Sequence, residues 1–196
     1  TVRSRGIFME HAAPEGSGAM SAVLGMDAAV IEDVLNGREG VSIANYNCPG
    51  QIVITGEADA VAEAGTVLKE AGARRVLPLK VSGPFHSPMM RPAGEELAKV
   101  FARVSMNPLK IPYVANINAE VITDCGRIEG LLVEQVSGSV RWQQSVETMI
   151  REGVDTFVEI GPGKTLTGFL RKIDKNVKAY HIGSWEEAVQ VCEELK

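Results

Sequence analysis

The residue in this sequence that most suggests chemistry is a histidine held in a turn. His86 lies in the stretch VSGPFHSPMM, after Gly83 and Pro84 and before Pro88. A neutral imidazole, with an unperturbed pKa of about 6.5, accepts a proton readily at neutral pH. A histidine on a stiff loop that leaves a strand is a common position for a general base in α/β proteins. The residues alone also allow a capping or merely exposed histidine, so both interpretations stay open here.

Two pairs of arginines are the next candidates. Arg3 and Arg5 stand two residues apart on a predicted first helix, so they face different directions and one of them can turn inward. A buried guanidinium needs an anion, and its planar fork suits a carboxylate held by two hydrogen bonds. Read alone, such an arginine is more often a surface residue than a ligand, so both interpretations stay open here. Arg74 and Arg75 are adjacent in an acidic chain, which indicates either solvated surface or a docking point for an acidic partner.

Two turns carry polar or glycine-rich patterns. Asn45 and Asn47, in NYNCPGQIVITG, place amides at a strand end, where they serve turn geometry or line a cleft. The stretch GPGKTL resembles a phosphate loop, but the Walker pattern needs four residues between its first Gly and the GK pair, and only Pro162 stands there. We therefore favour a tight strand-to-helix turn, with an anion at the helix N-terminus as the alternative.

The composition excludes several classes of protein. The 196 residues are 45% apolar and 23% charged, as in an ordinary soluble globular protein of one or two domains. A net charge of −5 argues against a general nucleic-acid surface. Three distant cysteines without metal-ligand spacing predict a reducing, cytoplasmic setting and no metal site. The sequence contains no apolar run long enough for a membrane span and no visible signal peptide.

The elements predicted between residues 18 and 81 alternate as βαββαβ, which is typical of a ferredoxin-like unit. Strands are predicted at 18–25, 41–47, 51–57 and 74–81, and helices at 27–37 and 59–72. Pro78 predicts that the last strand lies at an edge of the sheet, because proline cannot donate to a ladder.

After His86, strands and helices alternate, which predicts a parallel α/β sheet. A strand is expected at 111–120, and a last helix that Ser184 caps. The predicted fold class is α/β, with a small ferredoxin-like subdomain at 17–82. Residues 1–16 and 83–196 form a large subdomain that we expect to be incomplete, because the chain starts as a helix already under way.

Six blocks in one order carry a resemblance to a known family. They are SRGIFMEHA, PEGSGAMSAVLG, NYNCPGQIVITG, GPFHSPMM, the RW pair opening QQSVETM, and VEIGPGKTLTGF. Almost end to end, the chain resembles the C-terminal two-thirds of the malonyl-CoA:acyl-carrier-protein transacylases, acyltransferases of fatty-acid synthesis. The resemblance implies an α/β-hydrolase-like body that carries the ferredoxin-like subdomain. It also implies transfer of malonyl from malonyl-CoA to the phosphopantetheine thiol of acyl carrier protein, through an acyl-serine and without a cofactor.

The resemblance assigns catalytic and substrate-binding roles to four residues. His86 matches the general base of the family, and Gln135, in LLVEQV, matches the residue whose backbone carbonyl orients the imidazole ring. Arg5 matches the arginine that grips the malonyl carboxylate. Phe85 matches a position where the bulk of a phenylalanine favours malonyl over methylmalonyl.

The remaining assignments concern the cleft and the carrier protein. Asn45 and Asn47 match amides that line the cleft, and Arg74 and Arg75 match a basic stretch implicated in carrier docking.

The sequence departs from the family because it contains no GHSxG nucleophile motif. The nucleophilic serine is therefore expected in a preceding segment, and this chain alone is expected to be inactive. Ser87 neighbours His86 but does not stand in such a motif. The alternative is a non-catalytic carrier-binding or assembly module of the same family. A ferredoxin-like RNA binder is disfavoured, because the middle strands lack paired aromatic residues and the net charge is negative.

Overall fold

The computed structural model describes residues 1–195, which fold into eight α-helices and eight β-strands, so the predicted mixed α/β class is confirmed. The helices are α1 Val2–His11, α2 Ala28–Leu35, α3 Ala58–Glu70, α4 Arg91–Phe101, α5 Ile128–Ser137, α6 Trp142–Arg151, α7 Thr165–Ile173 and α8 Trp185–Glu194. The strands are β1 Gly18–Leu24, β2 Val41–Cys48, β3 Gln51–Glu57, β4 Arg75–Pro78, β5 Tyr113–Ala115, β6 Glu120–Ile122, β7 Thr156–Ile160 and β8 Lys178–Ile182. Short 3₁₀ turns lie at Pro88–Met90 and Cys125–Arg127.

A four-stranded antiparallel sheet organises the first half of the chain. Its strand order is β2-β3-β1-β4, so β2 and β4 are the edges, which confirms the edge position that Pro78 predicts for β4. This strand ends at Pro78 and not at residue 81 as predicted, because proline cannot donate to a ladder. Helices α2 and α3 cover one face, where Ile31, Ile54 and Leu68 belong to one buried cluster. Strands β1 and β3 contain consecutive buried residues, as expected of strands covered on both faces, and the helices form because their apolar residues recur on one side.

The β2–β3 hairpin is held by a close backbone approach. Gly50, in its turn, has φ +71°, and Gly56 has φ +148°. A Cβ added at Gly56 would lie 1.9 Å from the Gly40 carbonyl oxygen, so only glycine fits. That carbonyl accepts a hydrogen bond of 2.8 Å from the Glu57 N–H, which closes the end of the sheet.

Two predictions for the second half of the chain need correction. The single strand predicted at 111–120 is wrong, because this stretch turns back on itself as the antiparallel pair β5 and β6. Asn118 causes the turn, since its side-chain oxygen accepts a hydrogen bond of 3.1 Å from the Glu120 N–H. The parallel sheet is limited, within the described residues, to the two strands β7 and β8.

The glycine-rich stretch after β7 forms the tight strand-to-helix turn that we favoured. Gly161 and Gly163 have φ of +138° and +87°, and helix α7 begins directly after Lys164. The carboxylate of Glu159 accepts hydrogen bonds from the Thr167 N–H at 2.7 Å, the Leu166 N–H at 3.1 Å and the Thr167 hydroxyl at 2.6 Å. A side chain of the protein therefore occupies the helix N-terminus, where an external anion was the alternative.

Candidate active site around His86

The loop that carries His86 is fixed by its own short-range bonds. Ser87 is fully buried, and its hydroxyl donates to the Pro84 carbonyl at 2.7 Å and accepts from the Met89 N–H at 3.3 Å. Ser87 thereby caps the 3₁₀ turn that leads into α4. Because its hydroxyl proton is engaged and the side chain is buried, Ser87 has the geometry of a structural residue and not of a nucleophile.

The backbone of His86 itself adopts the left-handed conformation, with φ +60°. A non-glycine residue pays roughly 1–2 kcal/mol for this conformation, so the surrounding loop must impose it. The flanking Pro84 and Pro88 restrict the loop, and Met90, just beyond it, is completely buried between α1, α4 and α5. The result is a histidine ring that the chain holds in one direction.

The His86 ring is oriented by two backbone carbonyl oxygens. Nδ1 lies 2.9 Å from the Gln135 oxygen and 3.2 Å from the Gly138 oxygen. Both partners are acceptors, so Nδ1 carries the proton and donates it, which leaves the lone pair of the neutral ring on Nε2. These carbonyls are available because they lie at the C-terminal end of α5, where the helix leaves its last carbonyls without intrahelical partners.

The surroundings favour the neutral form of this imidazole. Burial lowers the pKa of His86, and the positive charge of Arg5 lowers it further, against the opposing effect of the two hydrogen bonds. A pKa below the usual value means that the ring is neutral at pH 7. His86 therefore has a free nitrogen and the charge state that a general base requires.

Arg5 and Arg3 face different environments on α1, as their spacing predicts. Arg5 is half-buried and Arg3 is exposed. Burial lowers the pKa of the Arg5 guanidinium, whose charge in turn acts on His86. Within residues 1–195, the Arg5 side chain has neither a hydrogen bond nor an ion pair. A partly desolvated cation without an anion is suited to bind an incoming carboxylate.

Phe85 joins two packed clusters at the base of the His86 loop. One cluster contains Met9 and Met90, between the helices, and the other contains Met20 and Ala44, on the face of the four-stranded sheet away from α2 and α3. The phenylalanine is partly exposed. It therefore lies between the two halves of the chain, next to the histidine.

Asn45 and Asn47 lie on the edge strand β2, and both are half-buried. The strand shifts register against β3 between Ile43 and Asn45 and again between Tyr46 and Cys48. Such bulges re-aim side chains relative to a regular strand. The backbone of Asn45 forms a parallel bridge with Val140, two residues after Gly138. Asn45 therefore lies near the Gly138 carbonyl that holds the His86 ring.

Arg74 and Arg75 are both exposed at the start of β4. This strand is the edge opposite to β2, so the two arginines and the two asparagines lie at opposite edges of the sheet. The structure therefore brings Arg5, His86 and Gln135 together, with Asn45 close by, and places Arg74 and Arg75 elsewhere on the surface.

The sequence did not point to Gly138 and Ser139. Gly138 supplies the second carbonyl to His86, and Ser139 donates from its hydroxyl to the Ile43 carbonyl at 2.6 Å. The one sequence signal for these residues was their position at the end of a predicted helix, because the last carbonyls of a helix lack intrahelical donors and accept hydrogen bonds from other groups.

A second concave region lies away from His86. An apolar pocket between α6, α7 and β8 is lined by residues that include Trp142, Phe157, Leu170 and Tyr180, but not His86 or Arg5. The described part of the chain contains no group of three or more His, Cys, Asp or Glu placed to hold a metal ion. Within residues 1–195, no helix has the length and apolar character needed to cross a bilayer.

Comparison with known proteins identifies the class. Residues 1–191 match the acyl transferase domain family, and the chain belongs to that family. A malonyl CoA-acyl carrier protein transacylase of Bacillus subtilis is 44% identical over 200 residues, which cover all of this chain and 63% of that protein. The chain therefore spans less than two thirds of this relative's length.

Solved structures agree with the sequence relatives. A malonyl CoA-acyl carrier protein transacylase from Clostridium perfringens superposes with a TM-score of 0.94 at 40% identity, covering 99% of this chain and 62% of the other. A malonyl-transacylase in complex with a type II PKS acyl-carrier protein gives 0.92 at 37% identity, covering 98% and 63%.

Proposed function

We propose that this chain is the part of a malonyl-CoA:acyl-carrier-protein transacylase of fatty-acid synthesis that carries the general base and the arginine that binds the malonyl carboxylate. In the first half-reaction, a serine hydroxyl attacks the malonyl thioester, CoA leaves, and a malonyl-serine ester forms. In the second, the phosphopantetheine thiol of acyl carrier protein attacks that ester and releases the serine. The substrates carry the reactive thiols, so the proposal includes no metal and no cofactor.

His86 acts as the general base of both half-reactions. Its Nε2 takes the serine proton during attack and returns a proton to the departing CoA thiolate, and the same exchange follows with the carrier thiol. Gln135 fills the orienting role through its backbone carbonyl, where other triads use a carboxylate. The observation that carries the proposal is the pair of carbonyls that hold the Nδ1 proton and leave Nε2 free, with the charge of Arg5 close enough to act on the ring.

Arg5 binds the malonyl carboxylate by a charge-assisted, two-pronged contact, which supports selection of malonyl over a plain acetyl group. Phe85, packed between the two clusters beside His86, limits the space at the carbon between the two carbonyl groups of malonyl. Asn45 and Asn47 line the same cleft from β2. Arg74 and Arg75 form the docking point for acyl carrier protein, an assignment supported by their exposure and by the carrier complex of the similar malonyl-transacylase.

The nucleophilic serine, in a GHSxG motif, is assigned to a segment upstream of residue 1. The strands β7 and β8 support this, because two-stranded parallel sheets are uncommon alone and parallel sheets are normally covered on both faces. Ile160, at the end of β7, is 78% exposed. We assign residues 1–16 and 83–196 to an incomplete α/β-hydrolase-like subdomain, and residues 17–82 to a ferredoxin-like subdomain whose strand order is 2-3-1-4. The assigned compartment is the cytoplasm.

The test supplies the upstream segment. The chain is joined to, or mixed with, the part of the Bacillus subtilis relative that this chain does not cover, and labelled malonyl-CoA and acetyl-CoA are offered separately. We expect a malonylated serine on the added segment. Arg5→Ala should reduce kcat/KM for malonyl by about 100-fold or more and affect acetyl much less, because only malonyl presents a carboxylate. Arg3→Ala, at an exposed position on the same helix, is the matched control.

Two results would contradict the proposal. An equal loss of malonyl and acetyl transfer in Arg5→Ala would remove the clamp role. An assembly that folds and binds carrier protein, but never labels a serine, would favour the non-catalytic carrier-binding module.

A further inference from the structure

Residues 138–140 form a segment, here called the strap, that connects the carbonyls holding the His86 ring to the four-stranded sheet. At its first residue, the Gly138 carbonyl accepts from His86 Nδ1 at 3.2 Å and from the Gln135 side-chain Nε2 at 3.0 Å. The same amide donates to the Ser139 carbonyl at 3.2 Å. One side chain therefore holds two consecutive carbonyls of the strap, one of which contacts the histidine.

The strap is bound to β2 by three hydrogen bonds. The Ser139 hydroxyl donates to the Ile43 carbonyl at 2.6 Å, the Val140 N–H donates to the Ala44 carbonyl at 2.7 Å, and the Tyr46 N–H donates to the Val140 carbonyl at 2.8 Å. Successive carbonyls of a regular strand point to opposite edges. The bulge of β2 at these residues explains how two consecutive carbonyls can both face the strap.

The orientation of the Gln135 amide follows from its partners. Its Nε2 faces two carbonyl oxygens, and the reverse orientation would place Oε1 against both of them. Gln135 therefore acts twice on the same site. Its backbone carbonyl accepts from His86, and its side chain fixes the second carbonyl that does so.

We propose that the Gln135 side chain and the Ser139 hydroxyl are positioning residues, which hold the Gly138 carbonyl in place and thereby select the Nδ1–H tautomer of His86. Within residues 1–195, neither group makes a hydrogen bond to the imidazole ring itself. Their effect passes through the peptide carbonyl between them, and it makes the orientation of the histidine depend on the position of β2. The catalytic consequence of this inference rests on the proposed role of His86 as a base, but the tautomer selection does not.

The test reads the ring nitrogens directly by long-range ¹H–¹⁵N NMR of the full 196-residue chain, with His86→Asn used to assign the signal. The variants are Gln135→Met, which keeps the backbone carbonyl and removes the amide, and Ser139→Ala, with Ser139→Thr to restore a hydroxyl. Ser17→Ala is the control, because Ser17 makes the same kind of hydroxyl-to-carbonyl bond, to Pro14 at 2.7 Å, on the surface. Circular dichroism monitors folding.

We expect the Nδ1–H form to dominate in the unaltered chain. In Gln135→Met and Ser139→Ala, the ratio of Nδ1–H to Nε2–H should fall by roughly 2–10-fold, the equivalent of one net hydrogen bond, and the pKa of His86 should fall because an acceptor of the ring proton is lost. Ser139→Thr should recover much of the ratio, and Ser17→Ala should leave it unchanged.

An unchanged ratio in either folded strap variant would overturn the role of that residue, and a fall in Ser17→Ala as well would show a non-specific effect and overturn both. If Ser139→Ala fails to fold, Gln135→Met decides the proposal. The tautomer ratio and acyl transfer are independent measurements. The strap can select the tautomer in a chain that labels no serine, and a serine can be labelled in a chain whose tautomer ratio does not depend on the strap.

Discussion

Replacement of Glu159 by glutamine should destabilise the chain at neutral pH and have little effect in acid. The carboxylate accepts three hydrogen bonds at the start of α7, from two backbone N–H groups and the Thr167 hydroxyl. Glutamine offers one acceptor oxygen and no charge, so it loses part of the cap and the favourable interaction with the helix dipole. We expect a loss of about 1–2 kcal/mol in the free energy of unfolding, since loss of a single helix cap costs about 0.5–2 kcal/mol.

The pH dependence follows from the direction of the pKa shift. Burial raises the pKa of Glu159, but the bonds from Thr167 and Leu166 and the charge of His181 outweigh it, so the net shift is downward. A carboxyl with a lowered folded-state pKa stabilises the fold above its unfolded value, about 4.3, and loses that contribution as the pH falls through the folded value. The difference between the two proteins should therefore be constant above about pH 5 and decrease progressively as the pH falls below the unfolded value of about 4.3.

Urea denaturation at several pH values measures this difference, and thermal melts should show a decrease of roughly 2–8 °C at neutral pH. Glu95→Gln is the control, because Glu95 is exposed on α4 and its side chain makes no hydrogen bond within residues 1–195. A Glu159→Gln protein as stable as the unaltered chain at pH 7, or a difference that persists unchanged in acid, would refute the capping argument.

Two further substitutions test other local features, both by urea denaturation. Thr55 is completely buried, and its hydroxyl has no partner within residues 1–195, so Thr55→Val should stabilise the chain by about 1 kcal/mol; a loss of stability would mean that the hydroxyl is satisfied. Ala119 has φ +58°, so Ala119→Gly should gain roughly 0.5–1 kcal/mol, whereas the control Ala98→Gly, inside α4, should lose about 1 kcal/mol. Equal signs for the two glycine variants would contradict the strain argument.

The first half of the fold was predictable because its signals are local. β-rich runs, amphipathic helix spacing and helix-ending glycines indicated the element order between residues 18 and 78, Pro78 indicated the edge strand, and the strands lie within a few residues of the predicted bounds. The stretch 111–120 was not predictable in the same way. Its reversal depends on one hydrogen bond that the Asn118 side-chain oxygen accepts and on pairing with residues beyond it, and hydrophobic periodicity detects neither effect.

The candidate site was predictable only in part. The flanking glycine and prolines indicated the loop around His86. The spacing of Arg3 and Arg5 predicted that they face different directions, and in the structure Arg3 is exposed and Arg5 is half-buried. Gly138 and Ser139 were not predicted because Gly138 acts through its backbone carbonyl and Ser139 contacts Ile43, 96 residues away in the sequence. Such contacts depend on the tertiary fold and leave no pattern in a single sequence.

Two non-glycine residues in the described chain have positive φ, Ala119 in a turn and His86 in the candidate site, and the backbone strain has a different role at each position. Ala119 closes a hairpin between β5 and β6, a position where glycine adopts positive φ without steric cost. His86 shares the backbone conformation, but its ring makes two hydrogen bonds to carbonyl oxygens at the end of α5. Strain at such a position persists because the capped turn at Ser87, the flanking prolines and the two carbonyls together over-determine it. The same set of contacts that holds the unfavourable φ therefore also holds Nε2 free.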